Sequence, residues 1–174
     1  MKQFTKTPII LIVLTCTLWI FGCSKLDRTS SMVVDVFVKA IIENNSGQDM
    51  LNPDVNGHFN KENIKIINLV NGQEKEYYQP NLDLAKGFRI NNLSGKFIMD
   101  IVPTMPDFAK DVEYDKKTTT TYIEWLPGNR DTILTVITYT RNGRSSSIRT
   151  EEIWLNGTKV FPDKAANGIV KIIK

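Results

Sequence analysis

The chain has 174 residues, with 22 Lys+Arg against 19 Asp+Glu, one His, two Cys and 41% apolar residues. That length fits one domain with at most a small appendage, and it suffices to bury a core without disulfides or metals. A charged fraction of 24% together with eight Phe excludes a disordered chain, and the formal charge of +3 cannot be assigned to a folded body until the N-terminus is understood.

Lys2 and Lys6 precede Ile9–Phe21, a 13-residue run interrupted only by Thr15, Cys16 and Thr17. A helix crossing a hydrocarbon core needs about 20 apolar residues, so this run has instead the length of an export signal's apolar segment. It ends in Ile20-Phe21-Gly22-Cys23, which resembles a bacterial lipobox: an aliphatic residue, a variable one, a small one, then Cys. Phe21 is bulkier than the Ala or Ser usual there, and the alternative is an uncleaved anchor with an ordinary Cys. Cys16 competes poorly, because Thr15 precedes it and the apolar run continues beyond it. The resemblance implies cleavage after Gly22 and lipid on Cys23. Ser24-Lys25 lacks the Asp that would imply inner-membrane retention, so an outer-membrane site facing periplasm or cell surface is expected. Loss of residues 1–22 removes Lys2, Lys6 and Cys16, leaving 152 residues with 20 cationic and 19 acidic side chains. The exported body is then near neutral and, with Cys23 capped, has no thiol for a disulfide or metal site.

Residues 23–31 read as a polar tether and 32–174 as one domain. Val, Ile and Thr total 48 residues against five Ala, and no window of the body carries a sustained helical stripe. Met32–Glu43 reads as a first strand, buried on both faces for part of its length, and Asn44–Asn63 as a long polar connection. Ile64–Val70 and Glu74–Gln79 flank Asn71-Gly72, a dipeptide that supplies the positive φ angles of a tight hairpin. Phe88–Asn91 and Lys96–Val102 meet around Ser94-Gly95. Pro103–Lys117 is expected to be a loop, with room for one helical turn. Thr118–Leu126 and Thr132–Arg141 are the strongest strands, joined through Pro127–Asp131. Ile148–Leu155 follows Asn142-Gly143, Asn156-Gly157 leads into Thr158–Phe161, and Ile169–Ile173 comes last. Eight to ten strands with turns every 8–12 residues predict an all-β, antiparallel two-layer β-sandwich. A strict two-residue turn at Asn142-Gly143 would set Arg141 against Arg144 and Leu134 against Glu151, so a longer loop through Ser147 or a bulge near Arg149–Glu151 is expected.

The chemistry available is narrow. His58, the one histidine, has no Ser nearby to form a nucleophilic arrangement, and a catalytic zinc lacks its usual His and Cys ligands. No Gly-rich phosphate loop opens a helix. Glu151 and Glu152 would point to opposite faces of a regular strand, while Asp111, Glu113 and Asp115 lie among Lys110, Lys116 and Lys117, as on a solvated loop edge. Asn52–Asn63 places side-chain oxygens at loop positions 1, 3, 5 and 9 with Gly57 at 6, as in an EF-hand. Asn63 replaces the bidentate Glu, however, and Asp54 alone among the first ligands is charged, which favours a plain connecting loop. Arg130, Arg141, Arg144 and Arg149 are expected to pair with Glu124, Asp131, Glu151 and Glu152; export and the lack of interleaved aromatics argue against nucleic acid. Trp125 and Trp154, with Tyr77, Tyr78, Tyr122 and Tyr139, either fill the core or, if exposed and coplanar, stack on sugars. Asp131-Thr132-Ile133 resembles a Bacteroidetes O-glycosylation sequon on Thr132.

The signal ending in FGC-SK, the stretch SGQDMLNPDVNGHFNKENIKI and the run DTILTVITYTRNG with IRTEEIWLNGTKVF together resemble the small uncharacterised lipoproteins of Bacteroidetes. That resemblance implies an immunoglobulin- or transthyretin-like sandwich held to the membrane by a lipid anchor, with no established activity and no functional residue beyond Cys23; no catalytic residue and no cofactor are expected. The function expected is a non-catalytic envelope module binding a protein or a glycan. The alternatives are a carbohydrate-binding accessory of polysaccharide uptake and a carboxylate-dependent hydrolase.

Overall fold

The computed structural model describes residues 30–109, 111–163 and 168–174. The leader, Cys23 and nearly all of the tether lie outside the described residues. Ser31–Lys174 forms a compact unit. Its strands are β1 (Ser31–Asp35), β2 (Val38–Glu43), β3 (Lys65–Val70), β4 (Gln73–Glu76), β5 (Phe88–Leu93) and β6 (Lys96–Ile101). They continue as β7 (Tyr114–Leu126), β8 (Asn129–Asn142), β9 (Ser145–Leu155), β10 (Thr158–Phe161) and β11 (Ile169–Ile173). One sheet runs β1-β9-β8-β7-β3-β4 with β10 also on β9, and the other runs β11-β2-β6-β5. The fold is thus the expected all-β sandwich.

Local chemistry sets most of the hairpins. Asn71 and Gly72 take φ of 51° and 76°, and Val70 pairs with Gln73 across them. Such paired positive φ angles match the twist of the flanking strands, which is why Asn-Gly is favoured there. Pro127-Gly128 closes β7 onto β8 more tightly than expected: Leu126 already pairs with Asn129, so the strands extend through Arg130 and Asp131. Pro supplies the fixed φ and Gly128 the positive one (79°), the pattern of a type II turn. Between β8 and β9 the two-residue loop is Gly143-Arg144, one residue later than Asn142-Gly143, with Asn142 opposite Ser145. The register then shifts between Val136, which faces Glu152, and Ile137, which faces Thr150. The bulge falls on Glu151, inside the segment where unfavourable pairings called for one, and Leu134 lies against Trp154.

Two expectations about strands change. Met32–Glu43 is not one strand: β1 lies in the seven-stranded sheet and β2 in the four-stranded one, with the chain crossing between sheets at Val36-Phe37. Met32, Val33 and Val34 are exposed rather than buried. An unbroken apolar run carries no local mark of a sheet change, which is decided by distant partners. The second change is direction: β1 on β9 and β11 on β2 are parallel pairs in an otherwise antiparallel arrangement. Side-chain alternation is the same in either direction, so it cannot report polarity. The 103–117 segment holds no helical turn among its described residues, and its last four residues, from Tyr114, already belong to β7.

The core lies between the sheets. Ile42, Met99, Ile101 and Ile172 from one sheet meet Ile66, Ile123, Ile133 and Trp125 from the other, all essentially fully buried. Each such side chain contributes roughly 1.5–3 kcal/mol relative to exposure. Phe59, from the long loop, packs on Trp125 with ring centroids 5.0 Å apart. A smaller cluster of Val36, Ile137 and Ile148 is capped by Phe108, whose ring stacks on Tyr139 at 5.7 Å. Polar groups inside are satisfied locally: Thr104 Oγ1 bonds the Thr120 carbonyl at 2.7 Å, and the Thr104 N–H donates to Thr121 Oγ1 at 2.7 Å. At the end of the sandwich, Asp131 accepts from Trp125 Nε1 (2.7 Å), Asn156 Nδ2 (2.8 Å) and Lys174 Nζ (2.6 Å).

Candidate binding site

The outward face of the four-stranded sheet holds a broad depression. Along β2, Val38, Ala40 and Ile42 point to the core, which turns Lys39, Ile41 and Glu43 outward. The same alternation turns Ile98 and Asp100 of β6 outward with Arg89, Asn91 and Leu93 of β5. Asp100 is nonetheless 5% exposed, a low value for a carboxylate on an open face. Register sets it between Lys39 and Arg89. Its Oδ2 accepts from Arg89 Nε at 2.8 Å and from Asn91 Nδ2 at 2.9 Å. Asp100 therefore fixes a guanidinium and an amide on the surface, and Arg89 also lies 5.6 Å from the Phe37 ring centroid. The depression over this row measures about 650 Å³.

Two further cavities, of about 320 and 380 Å³, adjoin β5, and Lys61 and Ile90 line both. The larger has an apolar floor of Leu51, Phe59, Ile90 and Phe97, and the smaller is lined by Ala85, Phe88 and Ile90. The 49–63 loop is held in place by backbone bonds from Met50 N–H to Ile42 O and from Phe59 N–H to Met50 O, both 2.8 Å. Asp49 Oδ2 accepts from the Phe97 N–H at 2.9 Å. At the rim Lys86 meets Glu62 at 2.7 Å, and this contact holds the Glu62 carboxyl below its ordinary pKa.

The residues singled out from sequence are mostly dispersed. His58 is half-buried, its Nδ1 3.0 Å from the Val55 carbonyl, and it lines the larger β5 cavity. Asn52 and Asn60, two of the would-be calcium ligands, accept backbone N–H groups of Asp54 (3.0 Å) and Glu62 (2.9 Å), as turn-forming residues do. Among the described residues no group of three or more His, Cys, Asp or Glu gathers to hold a metal. Asp111 and Glu113 share a depression of about 320 Å³ with Arg141, whereas Asp115 pairs with Lys117 at 3.5 Å.

Glu151 and Glu152 do not divide between two faces, because the bulge interrupts the alternation. Lys116 bonds Glu151 at 3.1 Å, and the charge of Glu152 also acts on it, so its pKa is raised. Glu152 accepts from Trp154 Nε1 at 3.1 Å and pairs with Lys159 at 3.3 Å, which holds its pKa down.

Of the expected arginine pairs the structure forms Arg130–Glu124, at 3.3 Å; Arg130 also meets Glu74 at 2.8 Å and covers the Tyr122 ring. Asp131, Glu151 and Glu152 pair with Lys174, Lys116 and Lys159. Trp125 is fully buried and Trp154 half-buried on the opposite face of the sheet, so the two do not form a platform. Tyr77 packs on the core, while Tyr78 is exposed. Thr132 is half-buried in mid-strand, its N–H bonded to Asn156 Oδ1 at 2.8 Å.

Sequence reasoning missed Asp100 and the Asp131–Lys174 pair. For Asp100 a signal existed: a lone acid at the end of the apolar run Phe97-Ile98-Met99. No protein-family model, curated protein or solved structure matches the chain.

Proposed function

We propose that the protein is a lipid-anchored module of the cell envelope that binds a partner and performs no catalysis. The observation that carries this reading is Ile20-Phe21-Gly22-Cys23 at the end of a 13-residue apolar run, seven residues ahead of the compact body at Ser31. Seven residues reach at most about 25 Å, so acyl chains on Cys23 would keep the sandwich close to the bilayer surface. A diacylglycerol together with an N-acyl chain anchors a protein stably where a single chain does not. The signal's resemblance to Bacteroidetes lipoproteins favours the outer membrane, facing the periplasm or the cell surface. Among the described residues no helix is long and apolar enough to cross a membrane.

The binding role is supported by the depressions around β5, where rigid strands hold Arg89, Asn91 and Lys39 on an open surface. A protein partner is favoured over a glycan, since burial of Trp125 removes the paired-indole platform that sugar stacking needs. Mass spectrometry of the membrane fraction tests the anchor. The expected mature N-terminus is an acylated Cys23; a chain starting elsewhere, or unmodified, overturns the reading.

A further inference from the structure

We infer that the free edge of β5 is a strand-addition site for an extended, acidic segment of a partner protein, a refinement that rests on the binding role proposed above. Ser94-Gly95 makes a two-residue hairpin loop, with φ of 54° and 87°, and Leu93 pairs with Lys96 across it. The residues flanking such a loop form a hydrogen-bonded pair, and pairs alternate along an antiparallel ladder. Asn91–Ile98 and Arg89–Asp100 are therefore bonded pairs, and the N–H and C=O groups of Ile90 and Asn92 point away from β6. No described residue bonds them there: the backbone contacts of this region are Gly87 N–H to Leu84 O and Val102 N–H to Gly87 O, beyond the end of the strand. A second chain in extended conformation would satisfy these groups at its own two-residue repeat.

The surroundings select the chemistry of that chain. Side chains entering from an added strand meet two cavities beside β5, one floored by Leu51, Phe59 and Phe97 and the other lined by Ala85 and Phe88, with room for an aliphatic or small aromatic group. The rim carries Lys39, Lys61, Lys86 and Arg89 against Glu62 and Asp100, an excess of two positive charges. A segment alternating apolar and acidic residues fits both. The β4 edge of the other sheet offers a contrast: Gln73-Glu74-Lys75-Glu76 is short, fully exposed and charged, the usual protection against strand addition.

The test uses the full-length chain in detergent micelles with a blocked synthetic peptide of alternating Val and Glu, followed by amide NMR. The expected result is saturable binding with the largest amide shifts at Ile90 and Asn92, and at least tenfold weaker binding of the Val/Lys peptide. A Val/Glu peptide with Pro at alternate positions should not bind, because it lacks the N–H groups that pair. Asn92→Pro removes an outward N–H and should weaken binding at least tenfold. Lys61→Glu, at an exposed rim position that leaves the ladder intact, should do the same. Absence of binding at millimolar peptide, equal binding of both charges, or shifts centred on β1 or on the seven-stranded sheet would overturn the inference. Failure here with Cys23 found acylated removes the groove and leaves the envelope reading standing. An unacylated chain that still binds the peptide does the reverse.

Discussion

The contact between Lys174 and Asp131 predicts a large effect from a single substitution. Lys174 Nζ lies 2.6 Å from Asp131 Oδ2, with side chains 13% and 7% exposed, and it also donates to Asn129 Oδ1 at 3.1 Å. Lys174→Met keeps an unbranched side chain of similar length but removes the ammonium, which also lies 5.5 Å from the Trp125 ring centroid, and leaves the Asp131 carboxylate without a counter-ion. Removing one partner of a buried pair costs roughly 3–5 kcal/mol. Here two neutral donors, Trp125 Nε1 and Asn156 Nδ2, remain on the carboxylate. The expected cost therefore falls to about 2–3 kcal/mol, because a hydrogen-bonded charge is less penalised than a bare one. For a domain of this size that lowers Tm by about 5–10 °C. Urea unfolding followed by tryptophan fluorescence should show a lower midpoint with an unchanged m-value. The double variant Lys174→Met with Asp131→Asn should recover part of the loss, since no charge is then left buried, giving a coupling of about 1–2 kcal/mol. A single-variant cost below about 0.5 kcal/mol, within the usual range for surface changes, would refute the reasoning.

Three other outcomes are expected. Gly87→Ala should destabilise more than Gly72→Ala: both positions have φ of 76°, but a Cβ at Gly87 meets Tyr77 Cδ1 at 2.9 Å while one at Gly72 meets nothing. Equal midpoints in urea would count against that clash, the shared backbone strain being about 1 kcal/mol in each. Thr104→Val removes the hydroxyl that bonds the Thr120 carbonyl and Asn68, and thermal unfolding should report a loss of about 1–3 kcal/mol. Glu152 is held ionised below its ordinary pKa, so its contacts with Trp154 and Lys159 are fully present above the unfolded-state value and lost as pH falls through the lower folded one. In a Trp19→Phe, Trp125→Phe background, Trp154 fluorescence should titrate with a midpoint below the ordinary glutamate value. Glu152→Gln should abolish that transition, and its persistence would assign it to another group.

What could be read from the sequence was whatever the backbone decides locally. Asn71-Gly72 and Asn156-Gly157 specify positive φ angles wherever they occur, and β-branched runs specify extended chain. The conflict between Arg141–Arg144 and Leu134–Glu151 showed that a regular hairpin turning at Asn142-Gly143 fails and left a longer loop or a bulge as remedies. The structure has both a turn one residue later and a bulge at Glu151. The same logic failed at Glu151 and Glu152, where the alternation was assumed to be regular although the bulge itself breaks it. It failed again at Met32–Glu43, whose continuous apolar run conceals a change of sheet.

The candidate site was far less legible. Ile90 and Asn92 look like any residues of a short strand, and their significance comes from lying on an outer strand beside a loop 30 to 40 residues away in sequence. Asp100 announced itself only as an acid beside an apolar run; its role needs Arg89 and Asn91 on the neighbouring strand. The sequence by itself determined the all-β class and the tight turns at Asn71-Gly72 and Asn156-Gly157, because these follow from residue types and near neighbours. Strand polarity at β1 and β11, the separation of Trp125 from Trp154, the lysine partners of the acids and the open edge of β5 were decided by tertiary structure alone. They depend on which distant segments come together as the two sheets close on one core, and no local pattern of side chains encodes that choice.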